Sequence, residues 1–236
     1  MLVITVILVF FNITNVFCQT FSTIIQSGQF IYCFQNEEFR YYREVRNLLE
    51  SKYKKVFRDL GYKDKTKIRV EFYTDLAAVI GAPMKVNGFG GNSKVQLNIP
   101  RSGDDFDYMV RVSLHELVHV IYNKVSNFPA DKWFKEGLAE YISNGPRSEI
   151  QISSYIEIAK KRDILDLRFL NNSLGSPNQE DKEIAYAVSK RFIRYLVEKY
   201  GIGKLRKLIE LKMNYNKVFG KSIDILFVEY KLNALS

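Results

Sequence analysis

The chain of 236 residues is poor in the side chains that most often build metal and disulfide sites, with only two cysteines and two histidines. Two cysteines exclude a disulfide framework and a cysteine-rich zinc site. No internal repeat or low-complexity stretch is visible, which excludes repeat architectures. Zinc-finger, RNA-recognition and helix-turn-helix signatures are also absent. Nucleic acid is therefore not an expected partner, although Lys and Arg outnumber Asp and Glu by 35 to 26. With 47% hydrophobic and 26% charged residues, the composition is ordinary for a globular chain and excludes one that is mostly disordered. The length suffices for one sizeable domain or two small lobes sharing a cleft.

Charge is missing altogether from Met1 to Cys18, and the apolar run Leu2 to Phe11 matches a signal-peptide core in length. It is short for a membrane-spanning helix, which needs about 20 apolar residues. Val16 and Cys18 are acceptable small residues for cleavage before Gln19. A cleaved signal at 1–18, a mature chain at 19–236 and a secreted or extracytoplasmic location are expected. The absence of Lys and Arg from the n-region departs from the usual pattern, and an uncleaved anchor or a buried strand are the alternatives. Acylation at Cys18 is disfavoured by the bulky Phe17. Cys33, the one cysteine of the mature chain, is expected to be a buried small hydrophobe rather than a nucleophile.

In the mature chain, Val45, Leu48, Leu49, Tyr53, Val56 and Leu60 recur at helical spacing within Phe39 to Leu60, and the pattern stops at Gly61. Lys67 to Thr74 (KIRVEFYT) alternates and is rich in β-branched and aromatic residues, which predicts a strand. Gly81 to Asn92, with Pro83 and four glycines, predicts a loop. Lys94 to Pro100 (KVQLNIP) alternates and ends at proline, which predicts a strand at the sheet edge. Val95, Leu97 and Ile99 would face the core, with Gln96 and Asn98 on the other face. From Asp104 onward the periodicity predicts helices at about 104–124, 130–143, 149–161, 179–200, 202–213 and 222–234. The expected class is α+β: a small sheet with a helix or two over about 19–103, then a helical part over about 104–236.

Both histidines fall within five residues, His115-Glu116-Leu117-Val118-His119, inside the helix expected from 104. Imidazoles at i and i+4 project from one face a turn apart, so both can reach one metal ion. Glu116 stands beside that face, close enough to act on a metal-bound water. Two randomly placed histidines in such a chain fall four apart only about once in a hundred; the competing explanation is two histidines packed on an apolar helix. A zinc site needs a third protein ligand and an open position. No histidine remains and Cys33 lies far upstream, so a carboxylate is expected. Trp133 to Tyr141 (WFKEGLAEY) supplies Glu136 and Glu140, again four apart. Two carboxylates on one face of an otherwise apolar helix are awkward without a nearby cation. Glu136 fits as ligand. Glu140, one turn later, fits as acceptor of the free N–H of a ligating histidine, fixing its tautomer. A solvated glutamate face on a surface helix is the alternative, and Gly137 between them would let two helices approach closely.

HELVH followed by WFKEGLAEY resembles the gluzincin metallopeptidases, especially the peptidase MA-like group. The resemblance runs from about Lys67 to the C-terminus and includes AYAVSKRFIRYLVEKYG (Ala185 to Gly201). It implies a zincin-like fold with substrate in a groove between a sheet-bearing lobe and a helical lobe. It also implies Zn2+ as cofactor, His115, His119 and Glu136 as its ligands, Glu116 as general base, and peptides or proteins as substrates. Such enzymes commonly stabilise the tetrahedral oxyanion with a tyrosine or histidine. With no histidine left, the resemblance points to a tyrosine or an arginine, and Tyr186, which opens the family-like segment, is the candidate. Core packing is the alternative for Tyr186.

The function expected is that of a secreted zinc endopeptidase. A zinc aminopeptidase or other zinc hydrolase on the same scaffold, and a non-catalytic binding module retaining the fold, are the alternatives. Aminopeptidases of the related gluzincin group carry a Gly-x-Met-Glu-Asn segment whose acidic residue helps bind the substrate's ammonium. The nearest string here, Gly81 to Asn87, places Lys85 where a carboxylate would be wanted, so cleavage within chains is expected. The edge strand Lys94 to Pro100 could pair with an extended peptide. Lys190, Arg191, Arg194, Lys199, Lys204, Arg206 and Lys207 are expected to form solvated faces, with a surface for an anionic partner as the alternative. Asn171-Asn172-Ser173 matches a glycosylation acceptor.

Overall fold

A computed structural model describes residues 21–35, 39–82, 87–91, 93–126 and 128–235. The signal-peptide expectation for residues 1–18, Cys18 included, lies outside the described residues, as does Pro83 to Val86 with Lys85. The described chain opens with a hairpin that the periodicity did not reveal, β1 (Thr23–Ser27) and β2 (Phe30–Phe34). Helix α1 (Phe39–Leu60) crosses to β3 (Ile68–Tyr73), which runs parallel to β2. A short α2 (Leu76–Ile80) leads towards β4 (Gly88–Gly90) and β5 (Lys94–Asn98). The five strands lie in the order β1-β2-β3-β5-β4, with β4 antiparallel to β5 and β5 parallel to β3.

Two expectations are corrected here. Gly81 to Asn92 is not wholly a loop, because it contains β4. Lys94 to Pro100 is not the edge strand, because β3 flanks it on one side and β4 on the other. Three residues with two glycines carry no alternation to read, which is why the true edge was invisible in the sequence.

One face of the sheet is apolar across the register: Phe30, Tyr32 and Phe34 of β2 stand beside Ile68, Val70 and Phe72 of β3, then Val95 and Leu97 of β5, all buried. α1 packs its periodic face here through Tyr41, Tyr42, Val45 and Leu49, with Tyr42 edge-on to both Tyr32 and Phe34. Gln96 and Asn98 point to the opposite face as expected, but both are buried. There the Glu71 carboxylate receives the Tyr73 hydroxyl at 2.6 Å, Gln96 at 3.2 Å, Lys94 at 2.8 Å and Arg69 at 3.1 Å. A buried carboxylate persists only when so compensated. Cys33 is buried on this sheet as expected, and burial pushes its thiol up.

The rest is mostly helical: α3 (Phe106–Val125), α4 (Lys132–Ser143), α5 (Glu149–Lys161), α6 (Leu167–Ser173), α7 (Gln179–Tyr200), α8 (Ile202–Glu210), α9 (Tyr215–Phe219) and α10 (Ile223–Leu235). The architecture is thus α+β, a small five-stranded sheet with a mostly helical body. The six expected helices are all present; α2, α6 and α9, at five to seven residues, are too short to show a full hydrophobic period. Gly137 does let two helices approach: a Cβ there would lie 2.6 Å from the Ser189 carbonyl oxygen of α7. Among the described residues, no helix is long and apolar enough to cross a membrane.

Candidate metal centre

α3 begins at Asp105, whose side chain accepts from the Tyr108 amide at 2.8 Å and satisfies one of the free donors of the first turn. The helix is buried nearly all round, between α1, the sheet and α4. Leu117, Val118, Val120 and Ile121 are fully buried, each contributing about 1.5–3 kcal/mol by leaving water. This packing fixes the rotation of the helix, so His115 and His119 turn towards α4.

α4 lacks a side-chain cap from Asp131; instead the Trp133 amide donates to Asn171 of α6 at 3.5 Å. Asn171, the first residue of the glycosylation match, therefore sits in a helix with its side-chain oxygen turned to protein. Trp133, Phe134 and Leu138 anchor α4 in the core, leaving Glu136 and Glu140 on the side facing α3.

Three ligand atoms converge there. His115 Nε2 and His119 Nε2 are 3.1 Å apart, and Glu136 Oε2 lies 3.2 Å from the first and 3.3 Å from the second. Tetrahedral zinc with bonds of about 2.0–2.1 Å holds its ligand atoms about 3.3–3.4 Å apart, so these three could hold one such ion with little movement. His115 is buried while His119 and Glu136 keep partial exposure, which leaves one side of the triangle towards solvent. Burial would push the His115 imidazole towards neutrality, yet contacts with Glu136 and Glu140 carry its pKa up to about 10. Burial would likewise raise the Glu136 carboxyl, but the two imidazoles hold it well below the usual carboxylate range.

Glu140, fully buried, brings Oε1 to 3.4 Å from His115 Nδ1, a long contact on the ring nitrogen that faces away from the triangle. Glu116 lies close enough to the triangle to feel the charges of His115, His119 and Glu136. Burial raises its carboxyl, and the two histidines and the Gly90 amide oppose that rise. Tyr186, in the second turn of α7, puts its ring centre 6.4 Å from that of His115. Burial and the Glu136 charge push its phenol well above its ordinary value. The structure therefore brings all six expected residues, His115, Glu116, His119, Glu136, Glu140 and Tyr186, into one neighbourhood.

Three neighbours were not anticipated. Arg147, just before α5, donates to Glu140 at 2.5 Å and holds both oxygens of Glu183 at 2.6 and 3.0 Å. The backbone of β4 lies against α3. The only available sequence signal for Arg147 was the need of a buried Glu140 for a cation. Part of the basic cluster also differs from expectation: Lys190 is buried, and it converges with Arg191 and Arg194 on Glu149 at 3.2, 3.4 and 2.8 Å, whereas Lys199, Lys204 and Lys207 are exposed as expected.

The Peptidase MA superfamily model matches residues 53–220, from within α1 to the end of α9, and the chain belongs to that superfamily. The match begins upstream of Lys67 and includes α3, α4 and α7, hence every residue of the group just described. Neither a curated protein nor a solved structure shows significant similarity to the chain. Membership points to a peptidase, and hence to peptide or protein substrates.

Proposed function

We propose that the chain is a secreted zinc metallopeptidase of the gluzincin type that cuts within peptide chains. The observation that carries this reading is the triangle of His115 Nε2, His119 Nε2 and Glu136 Oε2, with sides of 3.1, 3.2 and 3.3 Å, with Glu116 beside it. In this reading the first three residues hold zinc, and Glu140 orients His115. Bound zinc supplies Lewis acidity, polarising the scissile carbonyl and acidifying the attacking water.

The chain's own residues do the rest. Glu116 accepts a proton from the attacking water and delivers it to the leaving amine, a role favoured by burial that raises its carboxyl. Tyr186 donates a hydrogen bond to the oxyanion as charge develops there. β4, whose outer edge is paired with no other strand among the described residues, turns the main-chain groups of Gly88 and the Gly90 carbonyl away from β5 and offers them to an extended substrate. That role passes to β4 from Lys94–Pro100, which is flanked on both sides. Such pairing needs no free terminus, in keeping with cleavage inside a chain, and Lys85 would repel a substrate ammonium. Export rests on the uncharged, apolar stretch at residues 1–18.

Purified protein offered a proteome-derived peptide library should cut internal bonds. A chelator should abolish cleavage and zinc should restore it. Cleavage that survives chelation would overturn the reading.

A further inference from the structure

Building on the metallopeptidase reading, we propose that Arg147 is a positioning residue that ties Tyr186 to the carboxylate–histidine pair behind the metal ligands. Its guanidinium is engaged both in its plane and on one face. In the plane, Nη1 donates to Glu140 Oε1 at 2.5 Å, while Nε and Nη2 take the two oxygens of Glu183 at 2.6 and 3.0 Å. Its face lies on the Tyr186 ring, with the guanidinium carbon 3.8 Å from the ring centre. Only arginine combines a bidentate fork, a third in-plane donor and a flat cationic face.

The two arms reach different parts of the centre. Through Glu140, whose Oε1 accepts from Arg147 and lies 3.4 Å from His115 Nδ1, the first arm bears on the ring carrying the Nε2 ligand atom. The second arm sets the angle of the Tyr186 ring, and hence where its hydroxyl points. Glu183 and Tyr186 are both on α7, three residues apart, so the fork on Glu183 braces the stretch of helix that carries the phenol. Arg147 is itself buried and so acts through these partners rather than on substrate. Neutralising Glu140 alone would require neither the fork nor the stacking.

The test compares Arg147→Met and Arg147→Lys in the purified protein, alone and with Tyr186→Phe. Removing a partner of a ligating histidine weakens metal or activity by about 10–100-fold. Arg147→Met should therefore weaken zinc, measured by chelator competition, by about tenfold, and lower kcat by about 10–100-fold with KM within about threefold. With Tyr186→Phe already present, the further loss of kcat should shrink, because the ring that Arg147 orients no longer carries a hydroxyl to aim. Arg147→Lys keeps the charge but not the fork and face; it should fold, still lose kcat about tenfold, and serve as the deciding variant if Arg147→Met fails to fold. In the metal-free protein, the Arg147 side-chain proton resonances should be shifted upfield by the Tyr186 ring and return downfield in Tyr186→Leu.

Unchanged kcat and zinc affinity in a variant that loses only thermal stability would overturn the proposal, as would kcat losses that multiply fully in the double variant. If the wild type neither binds zinc nor cuts peptides, the metallopeptidase reading fails instead. The ring-current shift still decides the Arg147–Tyr186 coupling in that case, and its absence would refute it.

Discussion

The backbone N–H of Gly90 donates to the Glu116 carboxylate, and the two residues are so close that a Cβ on Gly90 would come within 2.5 Å of the Glu116 carbonyl oxygen. The same Cβ would lie 2.7 Å from His119 Cβ. Gly88, the other end of β4, is held against Val112 and Glu116 in the same way. The Gly-Phe-Gly strand thus lies flat on the helix that carries both histidines, which sets the separation between the proposed substrate edge and the proposed base.

Gly90→Ala should push β4 off α3. Displacements of about 1 Å in a reacting group cost about 10²-fold in rate. We expect kcat/KM to fall by about 10–100-fold, with zinc still bound at one equivalent. An unchanged kcat/KM would show that the β4–α3 contact does not position the reacting groups.

The ligand assignment predicts different outcomes for Glu136 and Glu140. Purified protein should hold one zinc, and His115→Ala or Glu136→Ala should remove or greatly weaken it. Glu140→Ala should lower affinity or activity by about 10–100-fold without abolishing the site. Metal analysis after exhaustive dialysis reads both. Stoichiometric zinc in both ligand variants, or a Glu140 variant that alone loses the metal, would contradict the assignment.

Much of this neighbourhood was legible in the sequence because helical spacing converts directly to shared faces. His115 with His119, and Glu136 with Glu140, are each one turn apart, and Gly137 marks where α4 meets α7. Residues joined only by tertiary packing were not legible. Arg147 reaches Glu140, seven residues upstream, and Glu183, thirty-six downstream, and no local pattern marks either contact. β4 was hidden because it has three residues, two of them glycine. The burial of the polar face of β5 was not legible for a related reason: alternation tells which side Gln96 takes but not that Glu71 and Tyr73 wait there to bury it.

Tyr186→Phe removes only the proposed oxyanion donor while leaving the ring against Arg147. Loss of a single such donor costs about 10²–10³-fold in kcat. We expect a fall of roughly 10²-fold in kcat with little change in KM. Unchanged kcat would transfer the role to another tyrosine or to an arginine.

Acetylating the N-terminus of a peptide substrate should leave its cleavage rate nearly unchanged, because pairing along β4 uses main-chain groups rather than the terminal ammonium. Chromatography with mass analysis of the products distinguishes the cases. A large loss on acetylation, with single residues released from the free peptide, would make the enzyme an aminopeptidase.

Glu116→Gln offers the most direct test, since the amide keeps the shape of the side chain but cannot accept the proton. The measurement pairs zinc content with the turnover of an internally cleaved peptide. The account predicts one zinc per chain, an unaltered melting temperature and nearly complete loss of turnover. Wild-type turnover by the zinc-loaded variant would contradict it.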